Sequence, residues 1–126
     1  MSIADILVME PSLILLDEPA ASLDPLHTRM VREVIDEIAG EGITVVTATH
    51  DVDYAWSWAD EILLLEEGRL LAFGSPAEVF SREDLLHRAG LTVPRILRLF
   101  GTLQQKGILP RSLSCPRTFQ ELERFL

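Results

Sequence analysis

Lysine is almost missing from this sequence. Lys106 is the single example, and the other ten basic residues are arginines. Any chemistry that requires a lysine therefore has one candidate. Cysteine is as scarce: Cys115 stands alone, which excludes an internal disulfide and leaves no set of thiolates for a zinc cluster. A lone thiol reads as inert and in a reducing compartment. No apolar run approaches the ~18 residues of a membrane span. Met1 is followed by Ser-Ile-Ala-Asp without a basic stretch, so no secretory signal is expected and a cytoplasmic location is. Basic charge is also short, with 11 Lys and Arg against 20 Asp and Glu, a formal net charge of −9. That balance argues against gripping a nucleic-acid backbone, and no nucleic-acid partner is expected.

What is present is unevenly placed. Residues 1–84 hold 18 acids and four arginines, a net of −14, whereas residues 85–126 hold seven bases and two acids, a net of +5. An acidic body followed by a basic appendage implies two parts with different neighbours. At 126 residues the chain has room for one modest domain.

The pattern along the body is that of an α/β fold. Ser2–Glu10 reads as a weak helix stopped by Pro11. Ser12-Leu13-Ile14-Leu15-Leu16 is a short, continuous apolar run, the mark of a strand buried on both faces in a parallel sheet. Asp24-Pro25 opens the clearest helix, with Asp24 as cap, Pro25 at its first position and Gly40 at its end. Leu26, Met30, Val34 and Ile38 form its inward stripe. Ile43–Ala48 is a second buried strand, Asp51 caps a short helix through Trp58, and Ile62–Leu65 is a third strand. Strand, helix, strand, helix, strand implies layered parallel strands with right-handed crossovers. Glu67-Gly68 then turns the chain into a hairpin. Beyond Gly74 the pattern is helical: two capping boxes at Ser75–Glu78 and Ser81–Asp84, a helix from Leu91 to about Gln105, a loop over 107–116, and a last helix capped by Thr118.

Three features can carry chemistry. Asp17-Glu18 places adjacent carboxylates at the C-terminal end of a buried strand, where α/β sheets hold their ligands. Their side chains diverge, so one can serve a metal and the other a water; equally, the pair can be a strand end reaching solvent. His50 also follows a buried strand, where an imidazole can donate to a phosphate oxygen or simply help cap the next helix. Ser22-Leu23-Asp24 is explained by local capping when taken alone. His27 and His87 read as surface residues without partners.

Taken together, Leu13-Ile14-Leu15-Leu16-Asp17-Glu18-Pro19, Ser22-Leu23-Asp24-Pro25 and Thr49-His50-Asp51 resemble the ATP-binding cassette (ABC) ATPase family in order and spacing, over residues 3–80. Residues 12–18 resemble its Walker B strand, residues 21–25 its D-loop and His50 its switch histidine. The resemblance implies a partial P-loop NTPase-type parallel sheet with flanking helices. It also implies roles in phosphoryl transfer, where positioning and electrostatics supply most of the catalysis. Asp17 would hold Mg²⁺ of Mg-ATP through water, and Glu18 would orient the attacking water. His50 would meet the γ-phosphate, while Ser22 and Asp24 would cross a dimer interface. Residues 81–126 form a helical tail similar to those of cobalt- and nickel-type energy-coupling importers, on Phe80–Gly90, Val93-Pro94-Arg95 and Pro116-Arg117-Thr118.

The family's phosphate-cradling Gly-x-x-x-x-Gly-Lys-Ser/Thr loop is absent from these 126 residues, as are its glutamine loop and Ser-Gly-Gly signature. Lys106, preceded by Leu103-Gln104-Gln105, cannot serve, and Asp5 stands where the family has a small or basic residue. The expectation is therefore the C-terminal half of a nucleotide-binding domain (1–80) plus a tail (81–126), from a truncated, frameshifted or split subunit. Such a chain would be inactive alone. It would use ATP and Mg²⁺ only with an N-terminal half or a full-length ATPase subunit, and sit with a transmembrane transporter subunit at the inner face of the membrane. The alternative is a non-catalytic regulatory module that pairs with a complete ATPase. In either case the absent half leaves Leu13, Leu15 and Val45 exposed.

Overall fold

The computed structural model describes residues 3–126, with the side chain of Ile3 left aside. It resolves into two compact units, Met1–His50 and Asp51–Leu126. The expected helix start at Ser2 lies outside the described residues. Helix α1 spans Ile3–Val8. It stops short of Pro11 because Glu10 takes a left-handed φ of 50°, after turn bonds from the Met9 and Glu10 amides to Ile6 and Leu7.

In the first unit, β1 (Leu13–Asp17) and β2 (Thr44–Ala48) pair in parallel, with Ile14 opposite Val45 and Asp17 opposite Ala48. The connection is α2 (Pro25–Gly40), whose Ile35 and Ile38 are buried. The core here is aliphatic; no aromatic residue occurs before Tyr54. An open apolar cleft of about 390 Å³, lined by Ile6, Ile14, Leu16, Val34 and Ile38 among others, runs between α1, β1 and α2. The period of two in a strand separates its faces. Ile14 is buried, whereas Leu13, Leu15 and Val46 are 50%, 71% and 43% exposed. The residues of this chain thus cover one face of the pair. Val46 is the bare β2 residue, and Val45, in register with Ile14, is half-buried.

Asp51–Leu126 has its own core. Helix α3 (Val52–Trp58) precedes β3 (Ile62–Glu66) and β4 (Arg69–Gly74), which pair antiparallel. The third expected strand therefore does not join the parallel pair: β3 hydrogen-bonds to β4 in a two-stranded sheet of its own. Glu67 and Gly68, at φ 46° and 75°, make the two-residue turn whose twist matches the strands. A register shift at Leu64/Leu65 sets Leu65 opposite Leu70 and Leu63 opposite Phe73, and all four of these side chains are exposed. Short helices α4 (Pro76–Phe80), α5 (Glu83–Arg88), α6 (Arg95–Gln105) and α7 (Phe119–Glu123) complete the unit.

Two helix starts differ from the sequence reading. The second capping box does not form: α5 begins after Arg82 without a side-chain cap, and the Ser81 hydroxyl instead donates to the Glu78 carbonyl at 2.7 Å. Helix α6 begins at Arg95, four residues after the expected Leu91, because Pro94 precedes it and Asp53 of α3 caps it from outside. The Asp53 carboxylate accepts from the Arg95 amide and from its Nε, each at 2.7 Å. One acid thereby satisfies an orphan amide and a guanidinium.

The tail's helices share one core with α3 and the hairpin: Trp56, Leu64, Val79 and Phe80 cluster with Leu86, Ile96, Phe100, Leu109 and Leu122. Trp56 meets Phe80 edge-on, centroids 6.2 Å apart, and its Nε1 donates to the Pro116 carbonyl at 2.9 Å. Arg117 donates to the Ala59 carbonyl, and Gln104 holds the loop through the Pro110 and Leu113 carbonyls. Burial pushes the Cys115 thiol up to about 11, so it stays protonated at neutral pH, in keeping with an inert thiol.

Bare apolar faces on two-stranded sheets promote association. The purified chain is expected to sediment as a distribution of oligomers, and the double variant Leu15→Lys/Leu63→Lys to shift that distribution toward monomer. A sharp wild-type monomer would contradict this. Among the described residues, no helix is long and apolar enough to cross a membrane.

Candidate functional site

The site forms where the two parallel strands end. Asp17 closes the β1–β2 ladder opposite Ala48. Strand parity puts it on the bare face with Leu13 and Leu15, where it is exposed. Glu18 adds one more rung, its amide donating to the Ala48 carbonyl at 2.8 Å. Its φ is 44°, a left-handed conformation that costs a non-glycine residue roughly 1–3 kcal/mol. The chain turns out of the strand there, and the two carboxylates diverge as their adjacency requires.

The Glu18 carboxylate is held from the end of β2. Its Oε1 accepts from the His50 amide at 3.1 Å and lies 2.5 Å from His50 Nδ1. Its Oε2 accepts from the Thr49 hydroxyl at 3.3 Å. Glu18 is one-third exposed, while the His50 imidazole is 81% exposed and so open to a ligand. Residues 31 and 32 positions apart thus form one cluster because the parallel pair ends in register.

The turn between β1 and α2 carries Ser22 and Asp24. Ser22 is exposed at a φ of 63°. Asp24 caps α2, accepting from the His27 amide at 2.8 Å, and its other oxygen lies 2.7 Å from His27 Nδ1. These contacts hold the Asp24 carboxyl below its usual range, the backbone bond from His27 first and its ring second. No hydrogen bond of the described residues ties Ser22 or Asp24 to Glu18 or His50. The structure therefore brings together Glu18 and His50, sets Asp17 beside them on the opposite face, and leaves Ser22 and Asp24 on the outer turn.

Two residues beyond those expected take part. Thr49, in the sequence only a member of the Thr-His-Asp motif, holds Glu18. His27, expected on the surface without a partner, pairs with Asp24; its place three residues after a capping aspartate is the local signal that finds it. A hard cation that keeps most of its water needs a carboxylate or two and a phosphate ligand. Among the described residues no group of three or more His, Cys, Asp or Glu side chains could hold a metal ion, so the exposed Asp17 carboxylate could serve such a cation only together with water and a ligand from outside this chain.

Two parallel strands joined through a helix, with an acidic pair at the carboxyl end of the first, make a fragment of an α/β domain whose ligand end lies at the strand termini. No protein-family model matches the chain. It is 40% identical, over 99% of its length, to the energy-coupling factor transporter ATP-binding protein EcfA2 of Methanospirillum hungatei. It is 39% identical, over 83% of its length, to a protein of the same name from Clostridium perfringens. Among solved structures it is similar to CbiO1 of Clostridium perfringens, described as part of the ABC transporter complex CbiONQ. That match has a TM-score of 0.56 and 39% identity over 79% of the chain. The chain spans 31%, 37% and 40% of the lengths of these three proteins. Over most of its length it is a homologue of ABC transporter ATP-binding proteins, those of energy-coupling factor transporters included.

Proposed function

We propose that this chain supplies the Walker B portion of an ATP-binding subunit that drives an importer for cobalt, nickel or a related micronutrient. The observation that supports it is the strand-end cluster. A carboxylate on a left-handed turn, gripped by the Thr-His that ends the neighbouring strand, suits a group that must orient and polarise a water. In this reading Glu18 orients the attacking water and the exposed His50 imidazole contributes a donor to the γ-phosphate. Asp17 holds Mg²⁺ through water; the ion, when bound, offsets charge on the phosphate oxygens. Ser22 and Asp24, on the outer turn, face a partner's site. The tail resemblance and the energy-coupling relatives support the importer class, and with it a transmembrane subunit as partner at the inner membrane face.

Backbone amides and a lysine to cradle phosphates must come from elsewhere, because no Gly-x-x-x-x-Gly-Lys-Ser/Thr occurs in the 126 residues. The partner is an N-terminal half or a full-length ATPase subunit. The test supplies one. The purified chain is expected to release no phosphate from Mg-ATP, and to do so once a separate polypeptide carrying the Gly-x-x-x-x-Gly-Lys-Ser/Thr half of such a domain is added. Turnover by the chain alone would refute the division of labour. Nucleotide-independent association without turnover would leave the non-catalytic pairing module.

A further inference from the structure

We propose that Thr49 is a positioning residue for Glu18, a role that rests on reading Glu18 as the water-orienting carboxylate. A carboxylate held at one oxygen turns about its last torsion, which is broad and roughly two-fold. A donor on the second oxygen fixes the plane. Here the two oxygens have separate holders: His50 takes Oε1 through its amide and its ring, and the Thr49 hydroxyl takes Oε2 at 3.3 Å. That distance is beyond the ~3.0 Å usual for a hydroxyl donor, so the hold is weak, and what distinguishes Thr49 is the oxygen it takes.

The two holders are not equivalent. The His50 imidazole is 81% exposed, and its proposed duty is to a phosphate. A ring turned toward a phosphate no longer holds Glu18. Thr49 is half-buried at the strand end and has no such second duty to the substrate. With the His50 ring away, the Thr49 hydroxyl and the His50 amide still hold one oxygen each, and the carboxylate keeps its orientation while the water is in place. The left-handed φ of Glu18 serves the same end: it turns the chain out of β1 where the carboxylate is held from β2. Thr49 touches neither water nor phosphate in this scheme; it acts through Glu18 alone.

The experiment measures hydrogen exchange at the His50 amide in the 126-residue chain. Thr49→Val, which keeps shape and removes the hydroxyl, is expected to speed exchange about fivefold. Thr49→Ser, which keeps the hydroxyl, stays near wild type. In a Glu18→Ala background Thr49→Val has no further effect. Unchanged exchange in Thr49→Val, or the same acceleration without Glu18, overturns the proposal. If valine prevents folding, Thr49→Ala is read by the same criteria. In the assembly with a P-loop-bearing partner, Thr49→Val is expected to lower kcat roughly tenfold with KM unchanged, and Thr49→Ser to restore it. A fall in both variants alike overturns the proposal. A wild-type assembly without turnover removes the ATPase reading instead, and amide exchange then decides the positioning role.

Discussion

Replacing Trp56 by alanine is expected to destabilise the Asp51–Leu126 unit by about 3–5 kcal/mol, the range for deleting a large buried aromatic. Trp56 is 4% exposed and lies in a cluster with α4, α5, α6, the 109 loop and α7. Its loss removes the edge-on contact with Phe80 and leaves the Pro116 carbonyl without its indole donor. The second effect separates from the first in Trp56→Phe, which keeps most of the ring volume and is expected to cost about 1–3 kcal/mol. Trp58, half-buried on the same helix, serves as the control: Trp58→Ala is expected to cost less than Trp56→Ala. Urea unfolding followed by far-ultraviolet circular dichroism measures all three. A Trp56→Ala midpoint equal to that of the wild type would show that the tail does not depend on this core.

In an assembly completed with a P-loop-bearing partner, Glu18→Gln is expected to lower phosphate release about 10²–10³-fold with nucleotide binding little changed. The amide has the shape of the carboxylate and lacks its charge, so it polarises a water poorly. It also puts an NH₂ group toward one of its present donors, the Thr49 hydroxyl or the His50 amide. His50→Ala removes a donor from an exposed position and leaves the Thr49 and His50 amide contacts to Glu18 in place, so a smaller fall is expected. Steady-state phosphate release, with nucleotide affinity measured separately, distinguishes a loss of chemistry from a loss of binding. A Glu18→Gln assembly at wild-type rate would remove Glu18 from the reaction.

Local chemistry was the legible part of the sequence. Asp24-Pro25 to Gly40 gave α2 with its cap, and Asp51, Ser75 and Thr118 cap α3, α4 and α7 as their side-chain chemistry requires. What depends on distant partners was not legible. The cap of α6 comes from Asp53, 42 residues away, which no window around Pro94 contains. The continuous apolar run of Ile62–Leu65 announced burial but not a neighbour, and the turn at Glu67-Gly68 assigned β4 to it. In β1 the apolar residues occupy both faces, yet this chain covers only the Ile14 side. The site followed the same rule. Asp17, Glu18 and His50 were visible as strand-end residues, whereas the grip of Thr49 on Glu18 depends on the register of two strands.

The distribution of rings has a practical consequence. All eight aromatic side chains lie beyond His50, so the unit that holds Asp17, Glu18 and His50 is optically dark. Intrinsic fluorescence and near-ultraviolet dichroism report Tyr54, Trp56 and Trp58 in the other unit. A melting curve recorded that way follows the tail and its hairpin while the strand-end cluster opens unseen. Work on the cluster needs amide or imidazole signals, or a tryptophan introduced on the exposed side of β1.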